Sequence, residues 1–228
     1  MTDCAVVTGP SRGIGRAVAL ALSARGLRVA LLGRPSPRLD AVVGELRVGG
    51  GEALPVPCDV SVEGDVDEAA RTVVERWGAP AVVVNNAGIV VRGPRVHETT
   101  PERWDDVLAV NLRGAFLVAR AFLPAMLARG RGRLVQIASI SATLGSPGAA
   151  SYAASKWGLV GLTKSLAEEL RGTGLSCVAV LPGSVDTDML EGSGFTPQMS
   201  AADVARTVVF AALDAPDALT GSAIEMFG

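Results

Sequence analysis

Tyr152 and Lys156 are the two side chains of this sequence whose types and spacing suggest proton transfer. They lie four residues apart in a stretch that reads as a helix, so both project from one helix face about a turn apart. A free phenol has a pKa of about 10, and a neighbouring ammonium group favours the phenolate and lowers that pKa. Ser139, thirteen residues upstream at the end of an apolar run, could hold a carbonyl oxygen near the phenol. These residues therefore predict acid–base chemistry at a carbonyl group.

The same spacing also occurs in ordinary helices, where the lysine is a solvated surface charge and the tyrosine a packing residue. A second motif is therefore needed to decide whether the pair is functional. Thr8–Gly15 follows an apolar run and opens a helical segment, with glycines spaced Gly-x-x-x-Gly-x-Gly. Glycines let the backbone approach a ligand closely, and the helix N-terminus beyond them favours a phosphate. The turn lacks the Gly-Lys-Ser/Thr ending of a P-loop, which disfavours nucleotide hydrolysis. It predicts dinucleotide binding.

Short aliphatic runs alternate with longer amphipathic segments along the whole chain. The predicted strands are Cys4–Thr8, Arg28–Leu32, Ala53–Pro57, Ala81–Val84, Arg133–Ala138, Leu175–Leu181 and Ser222–Met226. The predicted helices are Gly13–Arg25, Pro37–Val48, Val62–Trp77, Pro101–Arg129, Ser151–Arg171 and Ala201–Leu213. Strands that are apolar throughout are buried on both faces, and strand–helix alternation predicts a parallel sheet with helices on both sides. We expect one α/β domain over residues 1–228, with a cofactor half at about 1–130 and a catalytic and substrate half at about 131–228.

Composition excludes several classes of protein. The 228 residues are 49% hydrophobic and 19% charged with a net charge of −2, which is typical of a soluble globular protein and not of a nucleic-acid surface. We expect no membrane span and no signal peptide. Three cysteines without metal-ligand spacing indicate reduced, buried thiols and a cytoplasmic protein. A single histidine, His97, argues against a catalytic triad and a multi-histidine metal site, so we expect no metal.

Together these motifs resemble the short-chain dehydrogenase/reductase family over nearly the whole chain. Thr8–Gly15 matches its Thr-Gly-x-x-x-Gly-x-Gly turn, and Asn85-Asn86-Ala87-Gly88 matches the element after its fourth strand. Ser139, Tyr152 and Lys156 match its catalytic set in identity and spacing, and Pro182–Thr187 matches its Pro-Gly-x-x-x-Thr motif. The resemblance implies a three-layer doubly wound Rossmann fold with a seven-stranded parallel sheet.

The family mechanism implies a role for each matching residue. Hydride passes from a nicotinamide to a substrate carbonyl, and Tyr152 gives its proton to the developing alkoxide. Lys156 lowers the pKa of the tyrosine and holds the nicotinamide ribose, while Ser139 orients the carbonyl oxygen. Asn111 anchors a water that links Lys156 to solvent. Ser141 is an alternative candidate for the catalytic serine. The family's thirteen-residue spacing to the tyrosine favours Ser139, so we interpret Ser141 as a loop residue near the pocket.

The resemblance also implies the residues that contact the cofactor. They are Gly9, Ser11, Arg12, Gly13, Ile14, Gly15, Arg34, Asp59, Val60, Asn86, Ala87, Gly88, Tyr152, Lys156, Pro182, Gly183, Val185 and Thr187. NAD-preferring relatives place an acidic residue at the end of the second strand, where this chain has Gly33 followed by Arg34. Arg34 and Arg12 suit a 2′-phosphate, because arginine binds phosphate in a bidentate fork. We therefore expect NADP(H), although each could be an ordinary surface arginine.

The substrate is expected to lie under the segment from Asp188 to Ser200. Its apolar side chains and two glycines suggest an apolar pocket under a short flexible lid. The expected substrate-binding residues are Ser139, Ser141, Tyr152, Met189, Leu190 and Phe195. The pattern resembles the 3-oxoacyl-carrier-protein reductase branch, so the substrate is expected to be a small-molecule or carrier-bound ketone. A basic patch could receive an acidic carrier protein, or could merely solubilise helix ends; it comprises Arg129, Arg131, Arg133 and Arg171.

Relatives assemble as tetramers through the helices that contain Asn111 and Tyr152, so a homo-oligomer is expected. The leading interpretation is an NADPH-dependent carbonyl reductase of 3-oxoacyl type. One alternative is a secondary-alcohol or hydroxysteroid-type dehydrogenase. Another is a non-catalytic NADP-binding regulatory protein, against which the complete Ser-Tyr-Lys set argues.

Overall fold

Seven parallel strands form the central sheet of the computed structural model, which describes residues 2–228. In chain order the strands are β1 Cys4–Thr8, β2 Arg28–Gly33, β3 Ala53–Pro57, β4 Val82–Asn85, β5 Gly132–Ile137, β6 Leu175–Pro182 and, after two short strands, β9 Ala223–Met226. Their order across the sheet is β3-β2-β1-β4-β5-β6-β9. It reverses between β1 and β4, where a doubly wound fold binds its ligand beyond the carboxyl ends of the strands. The predicted fold class is confirmed, and no strand bound differs from the prediction by more than one residue.

Within the described residues, seven α-helices cover both faces of the sheet. They are α1 Gly13–Ala24, α2 Pro37–Val48, α3 Glu63–Trp77, α4 Pro101–Leu108, α5 Gly114–Arg129, α6 Ala150–Glu169 and α7 Ala201–Val209. Successive strand residues enter opposite cores: Ala5 and Val7 pack with α1, α2 and α7, whereas Val6 packs with α3 and α5. Burial on both faces explains why these strands show no polar alternation. The division of the chain into a cofactor half and a catalytic half stays a prediction.

The sequence predicts one helix over Pro101–Arg129, but the structure inserts a π-helical turn at Ala109–Arg113 between α4 and α5. The predicted start is correct, because the Thr100 side chain accepts a hydrogen bond from the Arg103 N–H at 3.4 Å, with Pro101 in the first turn. The π turn holds Asn111, which is 1% exposed. Such turns are frequent at functional sites.

The stretch Pro101–Arg129 is long and apolar enough, by length and composition, to cross a bilayer, with a mean hydropathy of 1.4 over an 18-residue window. Its α5 part instead packs against the sheet, where Leu117, Phe122 and Met126 are fully buried. We therefore assign it as a core helix. The three cysteines are free and buried, as predicted.

The segment expected to cover the substrate is held at both ends by a second, two-stranded sheet. Strand β7, Val185–Asp186, pairs in parallel with β8, Met199–Ser200. Between them lie a 3₁₀ turn at Asp188–Leu190 and an irregular stretch. We call residues 187–198 the lid.

Candidate active site

The glycine turn after β1 has a backbone that only glycine accommodates. Gly9 and Gly13 have φ of +62° and +53°, in the left-handed region. A Cβ on Gly9 would lie 2.9 Å from the Cα of Ala87, and one on Gly15 would lie 2.2 Å from the Gly9 carbonyl oxygen. No side chain caps the start of α1, so the first N–H groups of this helix remain available to a ligand at the glycine turn. This cradle fits the pyrophosphate of a dinucleotide.

The end of β4 is tied to this turn by Thr8 and Asn86. The Asn86 amide donates to the carbonyl oxygens of Thr8 at 2.9 Å and of Gly9 at 3.0 Å. In return, the Thr8 hydroxyl oxygen accepts from the backbone N–H groups of Asn86 and Ala87 at 2.9 and 3.0 Å. The two strands at the reversal point thus form one rigid floor, as expected for the Asn-Asn-Ala-Gly motif.

The structure brings Ser139, Tyr152 and Lys156 together at the carboxyl ends of β5 and β6. Ser139 follows β5, is buried, and its hydroxyl oxygen accepts from the Ser141 N–H at 3.1 Å. Tyr152 lies half-buried in the first turn of α6. Lys156 is 4% exposed, with its Nζ 5.6 Å from the centre of the Tyr152 ring. Tyr152 and Lys156 are therefore neighbours in the structure, as their spacing in the sequence predicted.

The protonation of this group differs from the sequence-based expectation. Burial raises the pKa of the Tyr152 phenol, and hydrogen bonding to Ser139 and the charge of Arg92 oppose that rise without overcoming it. Burial also lowers the pKa of Lys156 to about 8, and its Nζ donates to the Ile137 carbonyl at 2.8 Å. Ser139 and Arg92, and not Lys156, act to lower the phenol pKa, and desolvation outweighs both, so this pKa rises where the sequence predicted that it would fall. A phenol that stays protonated at neutral pH is suited to donate its proton.

Asn111 uses its buried side chain to hold the chain beyond β4. Its Oδ1 accepts from the Ile89 N–H at 2.8 Å, and its Nδ2 donates to the Ile89 carbonyl at 2.9 Å and to the Ser155 hydroxyl at 3.0 Å. A Cβ on Gly88 would lie 3.3 Å from Asn111 Oδ1 and 3.7 Å from Lys156 Nζ, so these groups are neighbours. The role of Asn111 in anchoring a water stays a prediction.

Beside the glycine turn, the structure adds an arginine that the sequence analysis did not consider. Asp188 Oδ2 accepts from Nη1 of both Arg12 and Arg38, each at 2.8 Å. Arg38 stands in the first turn of α2, just beyond Arg34. The position of Arg38 shortly after the end of β2 could have identified it from the sequence as a candidate for cofactor binding. Arg34 forms no ion pair within residues 2–228, and its charge helps to lower the pKa of Asp59. Arg12 and Arg38 thus meet at Asp188, whereas Arg34 lies near Asp59.

Asp59 and Val60, the residues expected at the adenine, follow β3. The Asp59 carboxylate accepts from the Ser61 hydroxyl and N–H at 2.6 and 3.0 Å, and these bonds lower its pKa. Val60 is buried, so close to Gly114 that a Cβ there would lie 2.9 Å from its Cγ2. This end of the crevice is therefore well ordered.

At the opposite end, the Pro182–Thr187 motif runs from β6 into the lid. The Gly183 N–H donates to the Met226 carbonyl at 2.8 Å, which anchors the motif to β9. Thr187 lies over the glycine turn, since its Cγ2 would be 3.1 Å from a Cβ on Gly13. The lid residues next to Thr187 thus share the crevice with the cofactor cradle.

The expected substrate-binding residues are placed less uniformly. Ser141 pairs with Ser146 at 3.3 Å between their hydroxyl oxygens, in the loop before α6. Leu190 is half-buried, whereas Met189 and Phe195 are exposed. Arg92, which the sequence analysis did not consider, donates to the Met189 carbonyl at 2.6 Å. Nothing in the order of residues indicated this contact, because it joins two loops 97 residues apart.

No group of three or more histidine, cysteine, aspartate or glutamate side chains within residues 2–228 is arranged to hold a metal ion.

Comparison with known proteins agrees with this geometry. A model of the family described as short chain dehydrogenase matches residues 3–196. The chain is 40% identical to a 3-oxoacyl-[acyl-carrier-protein] reductase of Synechocystis sp., with 89% of this chain and 82% of that protein covered. It is 38% identical to the 2-(R)-hydroxypropyl-CoM dehydrogenase of Xanthobacter autotrophicus, with 100% and 98% covered.

Among solved structures, a variant of actinorhodin polyketide ketoreductase with NADPH superposes with a TM-score of 0.93 at 35% identity, covering 100% of this chain and 96% of that one. Sequence and fold therefore agree over essentially the full length. The chain belongs to the short-chain dehydrogenase/reductase family and is an NAD(P)-dependent oxidoreductase.

Proposed function

We propose that the protein reduces a ketone to a secondary alcohol with NADPH, and that the ketone is of 3-oxoacyl thioester type. The observation that carries this proposal is the convergence of Ser139, Tyr152 and Lys156 beside a glycine cradle that fits a dinucleotide. The nicotinamide, when bound, supplies the hydride. The chain's own residues must then orient the carbonyl and deliver a proton.

Tyr152 is the proton donor in this mechanism. Because burial raises its pKa, the phenol is protonated at neutral pH and gives its proton to the alkoxide oxygen as that oxygen forms. The Ser139 hydroxyl hydrogen-bonds the same oxygen and sets its position. Lys156 carries a positive charge below about pH 8, which stabilises the phenolate that remains after transfer.

A preference for NADPH rests on the arginines around one edge of the crevice. Arg12 and Arg38 reach a common point at Asp188, and Arg34 stands beside Asp59. A side chain at Gly33, where NAD-preferring relatives carry an acid, would put its Cβ 3.2 Å from the Pro10 ring. The position therefore favours glycine, and the 2′-phosphate is left with cations as partners.

Replacing Arg34 with aspartate tests this preference. The KM for NADPH is expected to rise far more than the KM for NADH, because an acid would repel the phosphate and accept the ribose hydroxyls. Arg47→Asp is the matched control, since it places the same charge change at the other end of α2. Unchanged KM values for both cofactors in the Arg34→Asp variant would refute the assignment.

The 3-oxoacyl substrate is supported by the relatives and by the lid. A 3-oxoacyl-[acyl-carrier-protein] reductase is among the relatives, and a polyketide ketoreductase among the structural neighbours. Exposed Met189 and Phe195 give the lid apolar surface. A screen of NADPH oxidation across 3-oxoacyl thioesters, diketones, quinones and ketosteroids tests the proposal. The Tyr152→Phe variant is expected to bind NADPH and lose turnover, and persistent reduction would contradict the mechanism.

Docking of a carrier protein on the predicted basic patch is not supported. Arg129 pairs with Asp3 at 2.7 Å, Arg133 with Asp217 at 3.0 Å, and Arg171 with its helix neighbour Glu168. Arg133 also lies at the start of β5, whereas Ser139 follows the end of this strand. The patch is therefore at the amino ends of the strands, and the active site is at their carboxyl ends. Equal activity on a carrier-linked substrate and its short thioester mimic would exclude docking altogether.

The oxidative direction is a second candidate, favoured by the relative named as a 2-(R)-hydroxypropyl-CoM dehydrogenase. Initial rates with matched ketone and alcohol pairs, near neutral pH, decide between the two directions.

We also propose a cytoplasmic homo-oligomer. A groove of about 530 Å³ along α4, the π turn and α5 is bordered by Leu108, Leu112 and Phe116, and Phe116 is 46% exposed. A second copy of this face would cover it. Gly158, in contrast, packs on Leu112 of its own chain, where a Cβ would lie 2.7 Å from Leu112 Cδ2. Light scattering of wild type and Phe116→Glu tests the interface.

A further inference from the structure

We propose that Arg92 determines substrate specificity by binding an oxyanion, such as a carboxylate, that the ketone carries a few atoms from its carbonyl. The inference rests on the proposed ketone reduction alone, because a 3-oxoacyl thioester has no free carboxylate near its carbonyl, and it extends the substrates to keto acids.

Two fixed points hold the loop that carries Arg92. On one side, Asn111 binds both backbone groups of Ile89. On the other side, the Gly93 N–H donates to the Gly148 carbonyl at 3.0 Å, in the loop that leads into α6 and Tyr152. The backbone at Arg92 is therefore positioned by the same elements that position the catalytic residues.

The side chain of Arg92 spans the mouth of the site. Its Nη1 donates to the Met189 carbonyl in the lid at 2.6 Å, while the residue itself is exposed. Its charge also acts on the Tyr152 phenol. A substrate that reaches Tyr152 from solvent thus passes near the guanidinium.

The charge of Arg92 has no carboxylate partner within residues 2–228, unlike the charges of Arg12 and Arg38. Asp188, the acid that precedes Met189, is already shared by Arg12 and Arg38. The bond to Met189 uses one of the five N–H donors of Arg92 and neutralises nothing. A planar cation with free donors at the mouth favours a planar oxyanion, which it can bind through two parallel bonds.

The opposing possibility is that Arg92 only latches the lid. A latch would affect every substrate alike, whereas an anion site affects charged substrates selectively. The test therefore compares 4-oxopentanoate and 5-oxohexanoate with their methyl esters, which differ from the acids in charge and little in shape.

Wild type is expected to show a higher kcat/KM for at least one acid than for its ester. Arg92→Gln should lower kcat/KM for that acid at least about tenfold, the range of a lost charge-assisted bond, and leave the ester within about twofold. Arg92→Lys should retain part of the preference, because it keeps the charge and loses the fork. Arg95→Gln, three residues away and also exposed, is the matched control and should change neither substrate.

An equal loss for acid and ester in Arg92→Gln would overturn the proposal and identify a latch. An acid-to-ester ratio that stays the same in Arg92→Gln as in wild type, with activity intact, would also overturn it. Failure of wild type to reduce any ketone in the broader screen would instead refute the proposed function, so the two failures are distinguishable.

Discussion

Replacing Lys156 with methionine should make the folded protein more stable at neutral pH while abolishing its activity. Lys156 is 4% exposed and forms no ion pair within residues 2–228, and its one hydrogen bond goes to the Ile137 carbonyl. Burial without a counter-charge lowers its pKa to about 8. The ammonium thus opposes folding, and methionine has a similar length without the charge.

The magnitude follows from the two pKa values of this lysine. Above about pH 8 the folded protein loses the proton, whereas the unfolded chain keeps it up to about pH 10.5. Between these values the unfolded state binds more protons, so the contribution of Lys156 to stability rises with pH. At about 1.4 kcal/mol per pH unit, the whole difference is about 3 kcal/mol, most of which develops between pH 7 and pH 10.

Urea unfolding of wild type and Lys156→Met at pH 7 and pH 10, without cofactor, measures this difference. The advantage of the variant should shrink by about 2–3 kcal/mol at the higher pH. The buried cysteines are present in both proteins and cancel, and a Tyr152→Phe background removes the neighbouring phenol from the comparison. Lys164→Met, at an exposed position two turns along α6, should show no such change. Parallel pH profiles for wild type and Lys156→Met would refute the reasoning.

Three further predictions concern the cofactor cradle and its surroundings. Gly9→Ala should lower the free energy of unfolding by at least about 1–2 kcal/mol, since alanine resists a φ of +62°, and should weaken NADPH binding in fluorescence titration. Asn111→Ala should cost about 1–3 kcal/mol in urea unfolding, because it leaves backbone groups beyond β4 unpaired; no change would show that water replaces the amide. Asp188→Asn should tighten NADPH more than NADH in calorimetry, because Arg12 and Arg38 are then released for the 2′-phosphate; an equal change for both cofactors would contradict this.

The sheet and most helices could be predicted from sequence because their signals are local. Runs such as Ala81–Val84 are apolar without alternation, which only strands buried on both faces sustain. Thr100 and Pro101 mark a helix start by their own chemistry. The glycine turn was equally readable, because its conformation excludes other residues.

Contacts between distant loops were not readable in the same way. Arg38 and Arg92 contact lid residues that lie 150 and 97 positions away in the sequence. Whether such contacts form depends on loop backbone angles, which no sequence periodicity encodes. The protonation of Tyr152 was misjudged for a related reason. The sequence showed the neighbouring cation and gave no measure of burial, which dominates the pKa.

The π turn at Ala109–Arg113 has a consequence for how this protein tolerates insertions and deletions. A π turn is an α-helix with one extra residue, so deleting one residue there would let α4 and α5 join as a regular helix. Such a shortened chain would gain backbone regularity and close the wide turn that carries Asn111, while α5 would keep nearly the same orientation relative to α4, because four α-helical residues and five π-helical residues each make about one turn. Asn111 would then lose its alignment with Ile89, and the floor of the site with it. The one extra residue of the π turn therefore costs helix regularity and in return places Asn111 against Ile89.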